Sequence, residues 1–368
     1  MKQVIGIVGL GKLGLCMALN LERSGHSILG VDINKQYINS INSKTLRSPE
    51  PNVESYLNTS QNFIASTDYT TLINKDCKVI FIVVATPSLA SGGYDHSQID
   101  TVINHFISFG VSEEKKHIVI NCTTMPSYCD SLAQKLKPYN YSLSYNPEFI
   151  AQGSIIKDQQ YPDQVLIGSN NADALQNIEE IYRSMCKNEP SFCTMSLISA
   201  EITKLATNCF LTTKISFANS IGDLAQKVGA ETDKILSAIG SDSRIGSKYL
   251  GYGFGFGGPC FPRDNRALSK YATDNEYHLL ISEATDLTNS AHLEFQFNQW
   301  MKIPEKESIE FDHVSYKKGT DILEESQQLA LAYKLAKAGR TVIIHENDEV
   351  ITKLKSIHGE LFTYARRG

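Results

Sequence analysis

Residues 4–32 leave little freedom for the fold of the first part of the chain. Val4 to Val8 form a short β-rich apolar run, Gly9, Gly11 and Gly14 follow with Lys12 and Leu13 between them, and residues 15–24 carry helical spacing. Strand, glycine turn and helix in that order are the context that gives a G-x-G-x-x-G spacing its meaning. Gly9 permits the tight turn, Gly11 lets a pyrophosphate approach the backbone, and Gly14 lets helix and strand pack closely. The helix N-terminus then turns unpaired N–H groups towards the phosphates. A second strand, 26–31, ends at Asp32, 18 residues beyond Gly14. A carboxylate there accepts hydrogen bonds from a ribose diol and repels a 2′-phosphate, so the expected cofactor is NAD and not NADP.

Further β-rich runs at 78–84, 117–121, 141–145 and 164–168 are spaced as in a doubly wound sheet. Polar residues gather at their C-terminal ends, where such sheets bind ligands: Thr86 and Pro87, then Thr123 to Pro126, then Asn146 to Gly153. Each of those ends also fits ordinary turn chemistry. Beyond residue 195 the pattern becomes helical. From 199 to 228 only Gly222 interrupts it, and Lys204 and Asn208 stand four apart on one face. A lysine and an amide so placed can hold an oxyanion, or merely solvate the helix. Helices are also expected at 232–239, 266–271, 279–299 and 327–338, with strands at 309–315 and 341–345.

The least ordinary segment is 244–266, where Gly251, Gly253, Gly255, Gly257 and Gly258 alternate with aromatic residues and run into Cys260, Arg263 and Asp264. So much glycine argues against helix or strand and for a ligand-hugging loop that delivers a thiol. The same composition suits a flexible surface loop. With a net charge of −5 the chain has no basic footprint for nucleic acid or an anionic membrane. No apolar run approaches the roughly 20 residues of a membrane span, and the first residues read as a buried strand, not a cleaved signal. Eight cysteines lack paired spacing, so neither a metal site nor a disulfide framework is expected, and a reducing cytoplasm fits.

Residues 9–14, 83–87, 123–126, 146–153 with 162–168, 201–217 and 256–264 together resemble the NAD-dependent nucleotide-sugar 6-dehydrogenases, most specifically through the run from Gly255 to Asp264 around Cys260. The resemblance implies two successive NAD-dependent oxidations that turn a sugar's primary alcohol into a carboxylate. UDP-glucose is the expected substrate, with UDP-N-acetylhexosamines or GDP-mannose as alternatives. It implies Cys260 as the nucleophile that carries a thiohemiacetal and then a thioester, and Lys204 and Asn208 as stabilisers of the oxyanions. Asp264 and Thr124 would position or activate water, and Glu148 would serve as acid/base in hydrolysis. Cofactor contacts carried over are Gly9, Gly11, Lys12, Leu13, Gly14, Asp32, Thr86, Thr124 and Arg263. Substrate contacts are Glu148, Phe149, Ile150, Lys204, Asn208, Arg244, Tyr249, Phe256, Gly257 and Lys317. Arg244 would reach across from a second subunit, and the amides of the 252–258 loop would wrap the sugar.

The implied architecture is α/β in three domains. Residues 1–195 form an NAD-binding Rossmann-like doubly wound sheet, 196–300 a central helical substrate and dimerisation domain with one long helix, and 301–368 a shortened Rossmann-like α/β domain that binds the nucleotide sugar. The expected partners are the nucleotide sugar and a second copy of the chain. A β-hydroxyacid dehydrogenase would share the first domain and the Lys/Asn helix but needs no cysteine loop. A degenerate NAD- or sugar-nucleotide-binding regulator is the other alternative. Against the family pattern, Gln152 replaces a usual Glu, Tyr37 replaces a basic residue beyond Asp32, and Glu324 replaces an Arg expected near the cofactor phosphates. Residues 354–368 look too few to complete the strands of the last domain.

Overall fold

The computed structural model describes residues 2–73, 76–150 and 153–366. The chain divides into two compact units, Met1–Lys204 and Leu205–Gly368. Eight strands form the sheet of the first: β1 (Val4–Val8), β2 (Ser27–Val31), β3 (Phe63–Ser66), β4 (Cys77–Ile82), β5 (Lys116–Ile120), β6 (Tyr141–Tyr145), β7 (Gln164–Ser169) and β8 (Ser191–Met195). Their spatial order is β3-β2-β1-β4-β5-β6-β7-β8, parallel except between β6 and β7. The helices of this unit are α1 (Lys12–Arg23), α2 (Lys35–Asn42), α3 (Val53–Thr59), α4 (Ser97–Ser108), α5 (Tyr128–Leu136), α6 (Ile155–Gln160) and α7 (Ala172–Met185).

A parallel sheet is covered on both faces, which is why its central strands are apolar almost without alternation. Ile5, Ile7, Val79 and Phe81 enter one core with Leu15 of α1 and Ile178 of α7. Ile80, Ile82, Ile118 and Ile120 enter another with Ile99 of α4 and Leu132 of α5. The outer strands β3 and β8 carry no comparable sequence signal because much of each stays partly exposed. Strand order reverses between β1 and β4, the switch point at which open sheets of this kind bind their ligands.

The long helix α8 (Leu197–Val228) continues the chain from the first unit into the second. The second unit adds α9 (Thr232–Ser241), α10 (Phe261–Asp274), α11 (Leu280–Trp300), β9 (Ile309–Phe311), α12 (Gln327–Lys337), β10 (Val342–Glu346), α13 (Asp348–His358) and β11 (Thr363–Arg366). The last described residues carry a helix and a strand. Asn347 caps α13 by accepting the Val350 N–H at 2.9 Å, and β11 pairs with β10 in a three-stranded parallel sheet of order β11-β10-β9. As an edge strand of mixed polarity, β11 leaves no apolar run to read. Among the described residues no helix is long and apolar enough to cross a membrane, and no group of three His, Cys, Asp or Glu side chains could hold a metal ion.

Candidate active site

In the first unit the glycine turn is built for close approach. Gly9 has φ +90, in the left-handed region, and a Cβ there would lie 2.3 Å from the Val83 carbonyl oxygen. A Cβ on Gly14 would lie 1.9 Å from the Gly9 carbonyl oxygen, whereas nothing lies within 4 Å of one on Gly11. Gly9 and Gly14 therefore serve the turn and the seating of α1. Gly11, the N-cap of α1, leaves open backbone at a helix N-terminus, where an anion is favoured. Asp32 accepts the N–H groups of Leu10 and Asn34, both at 2.9 Å. Those bonds hold its carboxylate beside the turn with lone pairs left for a ribose diol. Tyr37 is half-buried against the same core, its phenol pushed up to about 12 by burial, with Asp32 and Cys16 adding to the effect. It packs as a ring where the family pattern has a charge. An open helix N-terminus and a carboxylate one strand over fit NAD.

Gly14→Ala tests the turn. The methyl has no room, so the Gly9 peptide must move, and overpacking of this kind costs about 1–3 kcal/mol. Calorimetric affinity for NAD should fall on the order of tenfold to a hundredfold. Unchanged affinity would mean that the turn does not depend on Gly14.

Thr86, after β4, is buried, and Lys12 and Leu13 lie in the first turn of α1. Thr124, after β5, is fully buried, and its hydroxyl donates to Glu201 Oε1 at 2.8 Å. Glu201, on α8, also accepts the N–H groups of Cys129 at 2.9 Å and Ser127 at 2.8 Å, and burial pushes its carboxyl up. The hydroxyl proton of Thr124 is thus committed to Glu201, and Cys129 Sγ lies 3.7 Å from the same oxygen. Glu201 carries no motif in the sequence that marks this role.

After β6, Lys204 Nζ donates to the Glu148 carbonyl oxygen at 2.8 Å and stands 4.5 Å from the centroid of the Phe149 ring. The Glu148 carboxyl accepts the Tyr182 hydroxyl at 3.1 Å. Desolvation pushes Glu148 up, opposed by that hydrogen bond and by the Lys204 charge, and a carboxyl raised in this way is suited to proton transfer. Ile150 packs against the sheet core. Gln152 lies outside the described residues; Gly153, just beyond it, donates its N–H to Glu50 at 2.7 Å.

In the second unit the glycine segment ends at a helix. The helix expected at 266–271 begins at Phe261, with Pro262 in its first turn and Cys260 as its N-cap. Cys260 is exposed, and negative charge on its sulfur would sit at a helix N-terminus. One turn in, Asp264 is 1% exposed and accepts Asn208 Nδ2 at 2.6 Å and Arg263 Nε at 3.4 Å. Thiol, guanidinium, carboxylate and amide are brought together here from two helices. Lys204, one turn before Asn208 on α8, spends its contacts on the end of β6.

The loop itself requires a correction. The Gly253 N–H donates to Asn219 at 3.1 Å, the Phe256 N–H to Asn289 at 2.9 Å and the Gly258 N–H to the Glu324 carbonyl oxygen at 3.1 Å. These three amides are taken within the protein and do not wait for a sugar. A Cβ would lie 2.3 Å from Asn289 at Gly255, 2.3 Å from the Glu325 carbonyl at Gly257, and 2.4 Å from the Tyr316 ring at Gly258. Close approach by those glycines is thus to the protein's own groups, while Gly251 and Gly253 face open space. Phe256 is buried. Glu324 keeps its side chain exposed, and Glu325 ion-pairs with Arg266. Arg244 is exposed and pairs with Asp242 of its own loop at 2.7 Å, so in this chain alone its guanidinium is already engaged. Tyr249, at φ +60, lies edge-on to Phe261, and Lys317 is exposed.

Two family models match the chain in order. The UDP-glucose/GDP-mannose dehydrogenase family, NAD binding domain, matches residues 3–186, and the central domain of that family matches residues 198–291. A UDP-glucose 6-dehydrogenase of Rickettsia bellii is 30% identical over 92% of this chain and 79% of its own length. One from Pseudomonas aeruginosa is 29% identical over 92% and 78%. The structure of a UDP-glucose dehydrogenase from the archaeon Pyrobaculum islandicum covers 100% of the chain with a TM-score of 0.89 at 25% identity, 87% of that protein being matched. With both profiles matched in order and the glycine turn open to its cofactor, the chain belongs to the UDP-glucose/GDP-mannose dehydrogenase family and carries its NAD-binding domain.

Proposed function

We propose that the chain oxidises UDP-glucose to UDP-glucuronate in two NAD-dependent steps, with Cys260 holding the sugar between them. The observation that carries this reading is the exposed thiol at the N-terminus of α10, one turn from a buried carboxylate that Asn208 holds. NAD bound at the open end of α1 supplies the acceptor for the hydride lost in each oxidation. Cys260 Sγ adds to the aldehyde carbon, and the carbonyl electron pair becomes an oxyanion that Lys204 and Asn208 stabilise. Loss of the second hydride leaves a thioester. Water then adds to its carbon, the C–S bond breaks, and the sulfur departs as thiolate while Asp264 and Glu148 manage the protons of that water. Residues 1–195 bind NAD, 196–300 carry the thiol and its partners, and 301–368 hold the nucleotide.

The test is the NADH released per sugar across UDP-glucose, UDP-N-acetylhexosamines and GDP-mannose. Two NADH per UDP-glucose are expected. One per sugar, or none, would sink the two-step reading, and faster turnover of another sugar would move the substrate.

The working form is a homodimer joined through the central helical region. Phe210, Phe217 and Leu224, 65%, 48% and 57% exposed, recur every seven residues along α8 and support that pairing. Phe217→Glu should weaken the dimer at least about tenfold in light scattering without loss of helix content. A wild type that stays monomeric at all concentrations would count against the pairing. All eight cysteines are free, in keeping with a reducing cytoplasm.

A further inference from the structure

Five backbone polar groups of the glycine loop are claimed by side chains of α8 and α11. Asn219 takes the Gly253 N–H at 3.1 Å and donates to the Phe254 carbonyl at 3.3 Å. Asn289 takes the Phe256 N–H and donates to its carbonyl, both at 2.9 Å. The Gly253 carbonyl receives Gln296 Nε2 at 3.1 Å and His292 Nε2 at 2.7 Å. Five of these contacts come from neutral amides. The His292 contact has a charge behind it.

His292 is 2% exposed, and both of its ring nitrogens meet acceptors. Nε2 faces the Gly253 carbonyl, which can only accept, so that nitrogen carries a proton. Nδ1 lies 2.9 and 2.8 Å from the two carboxylate oxygens of Asp223 on α8. Asp223 also accepts the Tyr252 hydroxyl at 2.8 Å. Burial, and then the bond to Asp223, push the Tyr252 phenol up, which keeps it a donor. Asp223 is therefore an acceptor towards both neighbours, and the ring satisfies its surroundings only when both nitrogens are protonated. The titratable groups that touch it are Asp223 from α8 and Tyr252 from the loop, whose ring meets it edge-on at 5.5 Å. Its own helix contributes the neutral Gln296.

We propose that His292 is a positioning residue for the nucleotide sugar: as an imidazolium clamped between Asp223 and the Gly253 carbonyl, it holds the 252–256 loop in the shape that receives substrate. This rests on the reading above, in which Cys260, four residues past Phe256, holds the sugar. Loss of one ring proton sets a bare nitrogen lone pair against a carboxylate or a carbonyl in a buried place, and the loop loosens. The affinity for the nucleotide sugar then falls.

Nitrogen-15 NMR of histidine-labelled enzyme reads the charge directly. The resonances that vanish in His292→Gln should show two protonated nitrogens at neutral pH in the wild type. In turnover, His292→Gln should raise the KM for UDP-glucose about tenfold while kcat changes less, and Asp223→Asn, which removes the other end of the clamp, should raise it in the same way. A singly protonated ring at neutral pH, or a His292→Gln enzyme with the wild-type KM, would overturn the proposal. Should His292→Gln fail to fold, Asp223→Asn decides it: an unchanged KM overturns it. Absence of turnover with every nucleotide sugar strikes the functional reading alone, since the NMR still decides the charge of His292.

Discussion

Cys260→Ser is expected to lower uronate formation on the order of 10³-fold or more while NAD binding and the melting temperature stay near those of the wild type. The sulfur is exposed at the N-cap of α10, so the change disturbs no packed surface. Its chemistry changes greatly. A free thiol ionises near about 8.5, whereas a serine hydroxyl stays protonated at any working pH. The helix N-terminus that stabilises a sulfur anion cannot close that gap. Oxidation should therefore halt at the aldehyde, and NADH released per sugar should fall from about two to one or fewer. Mass spectrometry of quenched wild-type enzyme should show a sugar adduct on the peptide with Cys260, absent in the variant. Undiminished acid formation by Cys260→Ser would remove the thiol from the mechanism.

Asp264→Asn should cut release of the acid about 10²- to 10³-fold and destabilise the protein by about 1–3 kcal/mol. The carboxylate accepts from Asn208 on one oxygen and from Arg263 on the other, in a place that is 1% exposed. An asparagine must turn its NH₂ towards one of those two donors, leaving a donor against a donor out of reach of water. On the proposed mechanism, the residue that receives the proton of the hydrolytic water is lost as well. Rapid-quench sampling should then find the thioester accumulating after a normal second oxidation. Acid release at the wild-type rate would show that Asp264 has only a structural part.

Much of this was legible before any coordinates. Gly9, Gly11, Gly14 and Asp32 announce the cofactor site because steric demands at a tight turn act within a few residues and leave their mark in order along the chain. The central strands of the sheet show themselves because burial on both faces requires continuous apolar runs. Other features stayed silent or misled. Gly222 reads as a weak point in α8, yet a Cβ there would lie 1.9 Å from the Tyr252 ring, so the glycine makes room for the loop that His292 holds. The glycines at 255, 257 and 258 read as a cradle for a ligand, and they are filled by Asn289, Glu325 and Tyr316. Residues 261–265 read as loop and are the first turn of the helix that carries the thiol at its start.

By itself, then, the sequence determined the sheet, the glycine turn that suits NAD, and the Cys260 signature of the family, all of which rest on neighbours a few residues apart. Only the tertiary structure decided which polar groups meet. Thr124 and Glu201 are 77 residues apart, His292 and Asp223 69, Asn208 and Asp264 56, and Tyr182 and Glu148 34. Local periodicity reports how deeply a residue is buried, because burial acts on each side chain separately. A buried hydrogen bond needs a partner at a set distance and angle, and only the packed chain brings that partner there.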